Sequence, residues 1–245
     1  MFASSAFARL MMATALAGAI VGARAGSLTV TPVIVNLDSR TLGAALTVRN
    51  EGNEARVIQT ELLRWTQKNG ADVYTPSHDI LVNPPIATLQ PGQTQTVRIG
   101  LKREVDNVQE LAYRLYLTEV PPPSDHFTGM RIALRLGVPV YVSPRSRSST
   151  RLVWRAARTA SGALLLTLLN EGNRHLRMDS FRVMDPGSGQ ALGALRSAPF
   201  TLLAGQARRY SLPLPAGWTG RQVKMLANTA EGLAETRVDV PGPVR

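Results

Sequence analysis

The spacing of turns along the chain is the feature that most constrains its fold. From Ser27 onward, short runs of β-branched and apolar residues alternate with clusters of Gly, Pro, Asn and Asp, and no long stretch has a helical period. Turns that recur about every 8–12 residues are typical of β-sandwiches and barrels. With about seven strands in each half, the chain is predicted to be all-β, with two Ig-like β-sandwich domains in tandem.

Two short motifs recur in the two halves. Residues 50–53 and 170–173 both read NEGN, and each lies between two strand-like runs, so each is predicted to be the turn of a hairpin. Residues 91–93 (PGQ) and 204–206 (AGQ) each precede a further strand. One pair could be accidental, but two pairs in the same order favour a repeated domain. The predicted domains are residues 26–144 and 151–245, joined by a linker over residues 145–150.

The first 25 residues have the pattern of a secretory signal peptide. Arg9 precedes an apolar run over residues 10–21, and small residues stand at Ala23 and Ala25. The apolar run is shorter than the ~20 residues that a membrane-spanning helix needs. The sequence therefore predicts export to the periplasm, cleavage after Ala25 and no stable insertion in the membrane.

Composition argues against several functions. The formal net charge is +11, but only three of the 28 basic residues are lysine, and the arginines are scattered rather than grouped on a basic helix, so nucleic acid is not an expected partner. The absence of cysteine excludes thiol catalysis and cysteine-ligated metals. The three histidines have no metal-ligand spacing, and no nucleotide-binding motif is present. An enzyme is therefore not expected, and neither a cofactor nor a metal is predicted.

The segment MRIALRLGVPVYV carries an apolar row on one side. Met130, Ile132, Leu134 and Leu136 share one face of an extended strand, because side chains alternate along it. Two interpretations are open at this point. The row faces the core of the protein itself, or it lies on an exposed edge that adds a strand to a partner.

Several stretches together resemble the PapD-like periplasmic pilus-assembly chaperones. These stretches are LTVRNEGN, NPPIATLQPGQTQTVRI, LTEVPPP and RIALRLGVPVYVSP, and the resemblance is clearer before residue 144 than after it. It implies two Ig-like domains set at an angle. It also implies that Met130, Ile132, Leu134 and Leu136 complement pilus subunits with incomplete folds, which then pass to an outer-membrane usher.

One departure from this family concerns the subunit's C-terminal carboxylate. The family usually anchors it with an arginine and a lysine, but the aligned positions here are Pro32 and Pro139. This resembles the divergent, archaic branch of the chaperone–usher system. Arg114, on the opposite face of its strand from Tyr113 and Leu115, is the candidate replacement, because a guanidinium can bind a carboxylate through two hydrogen bonds.

A different class of protein is also compatible with two sandwiches. A two-domain Ig-like adhesin or structural subunit of the envelope would share the fold without any chaperone activity. Such a subunit is expected to have an incomplete sandwich, whereas both domains here are predicted to be complete.

Overall fold

The computed structural model describes residues 28–121, 133–197 and 199–241, and every regular element in these ranges is a strand. In chain order the strands are β1 Leu28–Thr31, β2 Val35–Leu37, β3 Gly43–Asn50, β4 Arg56–Lys68, β5 Ala71–Pro76, β6 Ile80–Asn83, β7 Ile86–Leu89, β8 Thr94–Leu101, β9 Leu111–Val120, β10 Arg135–Val142, β11 Leu152–Arg158, β12 Leu164–Asn170, β13 Leu176–Met184, β14 Phe200–Leu202, β15 Ala207–Leu212, β16 Gln222–Thr229 and β17 Gly232–Asp239. The all-β prediction is confirmed. The predicted signal peptide lies outside the described residues. Within those residues, no helix is long and apolar enough to span a bilayer.

Strands β1–β10 form two sheets that face each other. One sheet has the order β1-β3-β8-β6, and the other has the order β2-β10-β9-β4-β5, with β7 also paired to β4. Leu46 and Val97 from the first sheet pack against Leu115 and Val140 from the second, and all four are at most 2% exposed. Alternating apolar residues thus give each sheet one inward face, and the two inward faces form the core.

Strands β11–β17 form a second sandwich by the same principle. Its sheets have the orders β11-β12-β15 and β14-β13-β16-β17. Leu166 on β12 and Met225 on β16 lie in a separate core. No sheet combines strands from the two halves within the described residues. The predicted domain boundaries stay a prediction.

The prediction that NEGN forms hairpins is wrong. Strand β3 pairs with β1 and β8, whereas β4 pairs with β5, β7 and β9, so residues 51–55 carry the chain from one sheet to the other. In the second half, β12 and β13 likewise belong to different sheets. The pattern of strand and turn is the same for a hairpin and for a crossing between sheets, so the sequence did not distinguish them.

A buried asparagine explains why the motif recurs. Nδ2 of Asn50 donates to the carbonyl oxygens of Glu54 (2.7 Å) and Leu89 (3.0 Å), and its Oδ1 accepts from the N–H of Gly52 (2.9 Å). The backbone of Asn50 also pairs with the Gly-Gln turn: Gly92 N–H donates to its carbonyl, and its N–H donates to Gln93 O. The side chain is fully buried, so each of these bonds satisfies a group that water cannot reach.

Asn170 repeats this arrangement in the second half. Its Nδ2 donates to Arg174 O (2.8 Å) and Leu202 O (3.1 Å), and its backbone pairs with Gly205 and Gln206. The two motifs that recur in the sequence are therefore in contact with each other in each sandwich.

Two further turns are informative. A proline within a strand-like run predicts an edge strand. β1 and β2 are both edge strands, and Pro32 lies in the break between them, where the chain leaves one sheet for the other. The Asn-Gly pair of KNGAD turns the β4–β5 hairpin, and Asn69 and Gly70 have φ values of 54° and 80°. Such positive values are those of the hairpin turns that Asn-Gly favours. The Asn83-Pro84 peptide is cis.

Candidate functional site

Strand β10 has an edge that is only partly covered. On one side it pairs with β9 along its whole length, and on the other it pairs with β2 only at Val140–Val142. Leu134 O accepts from Glu119 N at 2.8 Å, so Arg135, Gly137 and Pro139 direct their peptide groups away from β9. Among the described residues no strand covers this edge from Arg135 to Pro139. This length of backbone is available for an added strand.

The predicted apolar row begins on this edge and continues into the core. Met130 and Ile132 lie outside the described residues. Leu134 is half-buried, Leu136 is half-buried against the first core, and Val138 on the same face is buried. The core interpretation therefore applies from Leu136 onward. The interpretation that the row is offered to a partner stays a prediction.

Charged side chains on both faces of the sheet hold the start of β10. The guanidinium of Arg135 lies 3.9 Å from the centre of the Tyr116 ring, and Nη2 lies 3.1 Å from Oε2 of Glu61. On the inner side, Glu119 pairs with Arg56 and lies 3.4 Å from the N–H of Leu134. The Arg56–Glu119 pair is largely buried, which makes it less screened by solvent than a surface ion pair. These contacts fix the strand at the N-terminal end of its uncovered edge.

Arg114 lies beside this edge, directly across from Pro139 in the β9–β10 ladder. Its guanidinium carbon is 4.3 Å from the centre of the Trp65 ring, and Nη2 is 3.5 Å from the Tyr74 hydroxyl. Contact with the aromatic face orients a cation without neutralising it. The guanidinium therefore keeps its charge available to an anion.

Arg114 also lines a cleft where the two sandwiches meet. A cavity of about 290 Å³ is bordered by Pro139 and Tyr141 from β10, by Val33 and Ile34, and by residues of the second sandwich. Burial raises the pKa of Tyr141 to about 12, so its phenol is neutral at physiological pH. The structure thus brings Arg114 and Pro139 together, whereas Pro32 is exposed on the neighbouring connection and does not border the cavity. The anchoring role of Arg114 stays a prediction.

The residues that join the two sandwiches were not predicted from the sequence. Gln67 donates from Nε2 to Thr201 O (2.8 Å) and accepts at Oε1 from the N–H of Leu203 (3.0 Å), so it binds the second sandwich as a neighbouring strand would. Gln109 donates to Ala204 O at 2.9 Å. Glutamines of this kind have no sequence signature, since their partners are backbone groups more than 90 residues away.

A histidine and a glutamate complete the contact between the two sandwiches, which is called the joint below. Nδ1 of His175 lies 2.7 Å from Oε1 of Glu110, and the same carboxylate oxygen accepts from the backbone N–H of His175 at 2.9 Å. The imidazole stacks on Tyr141, with ring centres 3.6 Å apart and planes within 7°. Trp65, Ala112, Tyr141 and Leu203 form a small buried cluster beneath it. The joint therefore supports the same residues, Trp65 and Tyr141, that border the cavity at Arg114.

The linker residues also take part in the joint. Arg145 and Ser146 donate their N–H groups to Asp106 O and Asn107 O in the first half, and Ser149 donates to Oδ1 of Asn173 in the second. The predicted linker is therefore hydrogen-bonded to both sandwiches. Among the described residues, no group of three His, Cys, Asp or Glu side chains is arranged to hold a metal ion.

Comparison with known proteins identifies the family. Residues 27–148 match the model of the pili and flagellar-assembly chaperones, PapD N-terminal domain. An uncharacterised fimbrial chaperone, YhcA, of Escherichia coli (strain K12) is 22% identical over 169 residues, which are 69% of this chain and 73% of that protein.

Solved structures share the fold over most of the chain. A chain in the CsuC–CsuE chaperone–tip adhesion subunit pre-assembly complex, from the archaic chaperone–usher Csu pili of Acinetobacter baumannii, is similar with a TM-score of 0.66. That match has 16% identity and covers 89% of this chain and all of the other. The E. coli chaperone DraB is similar with a TM-score of 0.57 and 18% identity, over 88% of this chain and 96% of its own. The family match and the two-sandwich fold agree, and the chain belongs to the pili and flagellar-assembly chaperones.

Proposed function

We propose that the protein binds pilus subunits that lack a strand and completes their fold with β10. The observation that carries this proposal is the uncovered edge from Arg135 to Pro139, beside an apolar row that begins before the core. Backbone ladder bonds along this edge supply affinity, and alternating side chains of the row enter the subunit. Met130, Ile132, Leu134 and Leu136 are the side chains proposed to be donated.

Arg114 is proposed to anchor the subunit's terminal carboxylate in place of the usual pair of basic residues. Its position across from Pro139 supports this role, since the end of a strand added along the edge would then lie near the guanidinium. The absence of basic residues at Pro32 and Pro139 supports assignment to the archaic branch, as does the fold shared with a chain from Csu pili.

The family and the N-terminal sequence support a proposal for the cellular setting. The protein is proposed to act in the periplasm after cleavage behind Ala25, to pass its subunits to an outer-membrane usher and to bind without catalysing a reaction. The work of folding the subunit comes from the binding energy of the added strand.

Hydrogen–deuterium exchange across residues 127–142, with and without a co-expressed pilus subunit, tests strand donation. The N–H groups of Arg135 and Gly137 are expected to become protected, because they face the uncovered edge. Strand β17 is also an edge strand, of the second sandwich, and serves as the control whose exchange is unchanged. Protection at β17 with none at Arg135 and Gly137 would contradict the proposal and favour an envelope adhesin or structural subunit.

A further inference from the structure

A second, larger cleft lies beside Arg114. It has a volume of about 690 Å³ and is bordered by both sandwiches. The first sandwich contributes Trp65, Arg114 and the tip of the β4–β5 hairpin, and the second contributes Arg196 and Arg208 among others. Arg114 borders this cleft as well as the smaller cavity at Pro139, so the two spaces are neighbours across one guanidinium.

The charges around the large cleft are unbalanced. Within the part of the chain that the structure describes, no carboxylate forms an ion pair with Arg114, Arg196 or Arg208. Among the described residues of the cleft wall, Asp72 is the one that is acidic. Its carboxylate already accepts from Nε2 of Gln67 at 2.8 Å and lies 3.3 Å from the Tyr74 hydroxyl. Three guanidinium groups border the cleft together with one carboxylate, and that carboxylate is already hydrogen-bonded. The site therefore favours a further anion.

The second sandwich holds Arg208 against a packed group of aromatic rings. The guanidinium carbon of Arg208 is 4.6 Å from the centre of the Phe200 ring, and the ring of Tyr210 packs edge-on against Phe181 at 4.9 Å. Arg196 and Arg208 both border the cleft, and their charges oppose the rise in the pKa of Tyr210 that burial causes. The two arginines thus belong to the wall of one cleft.

The hairpin tip restricts Arg208 from the other side. A β-carbon on Gly70 would lie 3.3 Å from Cγ of Arg208, so the turn passes directly over this side chain. An arginine held between a backbone turn and an aromatic ring loses less side-chain entropy when it binds a ligand.

We propose that Arg196 and Arg208 form a second anion subsite, which binds an acidic side chain near the C-terminus of the pilus subunit whose terminal carboxylate binds Arg114. This inference rests on the proposed function and adds a preference among subunits to it. Subunits with Asp or Glu within the last few residues are bound more tightly than otherwise similar subunits with Asn or Gln there.

Labelled synthetic peptides test this preference by fluorescence anisotropy. Each is about 15 residues long, alternates Val and Ser so that one face is apolar in an extended strand, and ends in a carboxylate. A set with Glu at each of the last few positions before the terminus is compared with the matching Gln peptides. At least one Glu peptide is expected to bind the native chain about five- to tenfold more tightly than its Gln partner, with a difference that shrinks as salt is added.

Variants separate this subsite from the anchor. The double variant Arg196→Gln/Arg208→Gln is expected to lose the preference for Glu while binding the Gln peptides as the native chain does. Arg114→Gln is expected to weaken both kinds of peptide, and Arg182→Gln, at an exposed position on β13, serves as the control with no effect. Equal binding of all Glu and Gln peptides, or a preference that survives the double variant, overturns the subsite and leaves the proposed function intact. Binding of neither kind of peptide to the native chain overturns both.

Discussion

Gly137 lies directly against the side chain of Arg114: a β-carbon added at Gly137 would be 3.2 Å from Cδ of Arg114 and 3.2 Å from Cε1 of Tyr116. The missing side chain on β10 is therefore what lets the arginine lie flat across the neighbouring strand. Because β10 is also the strand with the uncovered edge, the residue that offers an N–H to a partner also makes room for the candidate anchor.

Gly137→Val is expected to displace Arg114 without changing any charge. Val suits a strand, and Gly137 has no positive φ, so the free energy of unfolding should change by less than about 1 kcal/mol. Co-purification of a tagged pilus subunit should fall at least about fivefold, since a displaced guanidinium loses its aligned hydrogen bonds. Gly100→Val on β8, where an added β-carbon meets nothing within 4 Å, is the matched control. Equal subunit yields from the two variants would show that the position of Arg114 does not matter.

Arg114→Ala and Arg114→Gln are expected to abolish subunit capture while the protein stays folded. The guanidinium is half-buried and rests on Trp65, so its loss should cost about 1 kcal/mol of stability. Arg114→Lys keeps the charge but cannot form the bidentate hydrogen bonds of a guanidinium. An intermediate yield of co-purified subunit is therefore expected. Arg98→Gln, at an exposed position on β8, controls for the loss of one positive charge. A subunit recovered in native amounts with Arg114→Ala would rule the anchor out.

Asn50→Ala and Asn170→Ala should each lower the free energy of unfolding by about 2–3 kcal/mol, because each leaves buried carbonyl oxygens without a donor. Urea unfolding followed by circular dichroism measures the effect. Asn228→Ala, at an exposed position on β16, should change the stability by less than about 0.5 kcal/mol. If the buried and exposed substitutions cost the same, the two asparagines do not stabilise the crossings between sheets.

Acid should weaken the first sandwich through Asp79. Burial alone would raise the pKa of this carboxyl, but hydrogen bonds from Tyr113 and Arg103 and the charges of Arg103 and Arg64 outweigh it and hold the pKa below 3.8. A lowered folded pKa means that the carboxylate stabilises the protein above its unfolded pKa and that this contribution disappears as the pH falls through the folded value.

Asp79→Asn is therefore expected to cost about 1 kcal/mol at pH 7 and progressively less below about pH 4. The measurement is urea unfolding of both proteins across this range. Asp179→Asn removes a more exposed pair with Arg177 and should have little effect at either pH. A cost for Asp79→Asn that does not change with pH would mean that its charge is not what stabilises the fold.

Sequence patterns predicted the positions of the strands far better than they predicted which strands pair with each other. The sequence predicts a strand from Thr94 to Leu101, a hairpin at Asn69-Gly70 and a final hairpin near the C-terminus. All three are present in the structure, because each depends on neighbouring residues alone. The crossing at Asn50 was mistaken for a hairpin, since the choice between the two depends on carbonyl groups about 40 residues away.

For the candidate site, too, the sequence pointed to single residues but not to their arrangement. Alternation placed Arg114 on the outer face of β9, and resemblance to a family drew attention to Pro139, but only the ladder shows that the two residues face each other. Arg196, Arg208 and Glu110 could not be predicted, because what makes them notable is the other sandwich, and no local pattern encodes which residues two domains bring together.

The proline on β10 has a consequence for the length of any strand that binds there. Pro139 has no N–H, and its peptide group faces the uncovered edge, so an added strand finds its last backbone donor at Gly137. The new ladder can grow only toward Arg135 and the residues before it. Pro139 thus fixes the register of the added strand. Because a slip of one residue turns every side chain to the opposite face, this fixed register selects which face of the bound strand points toward the core.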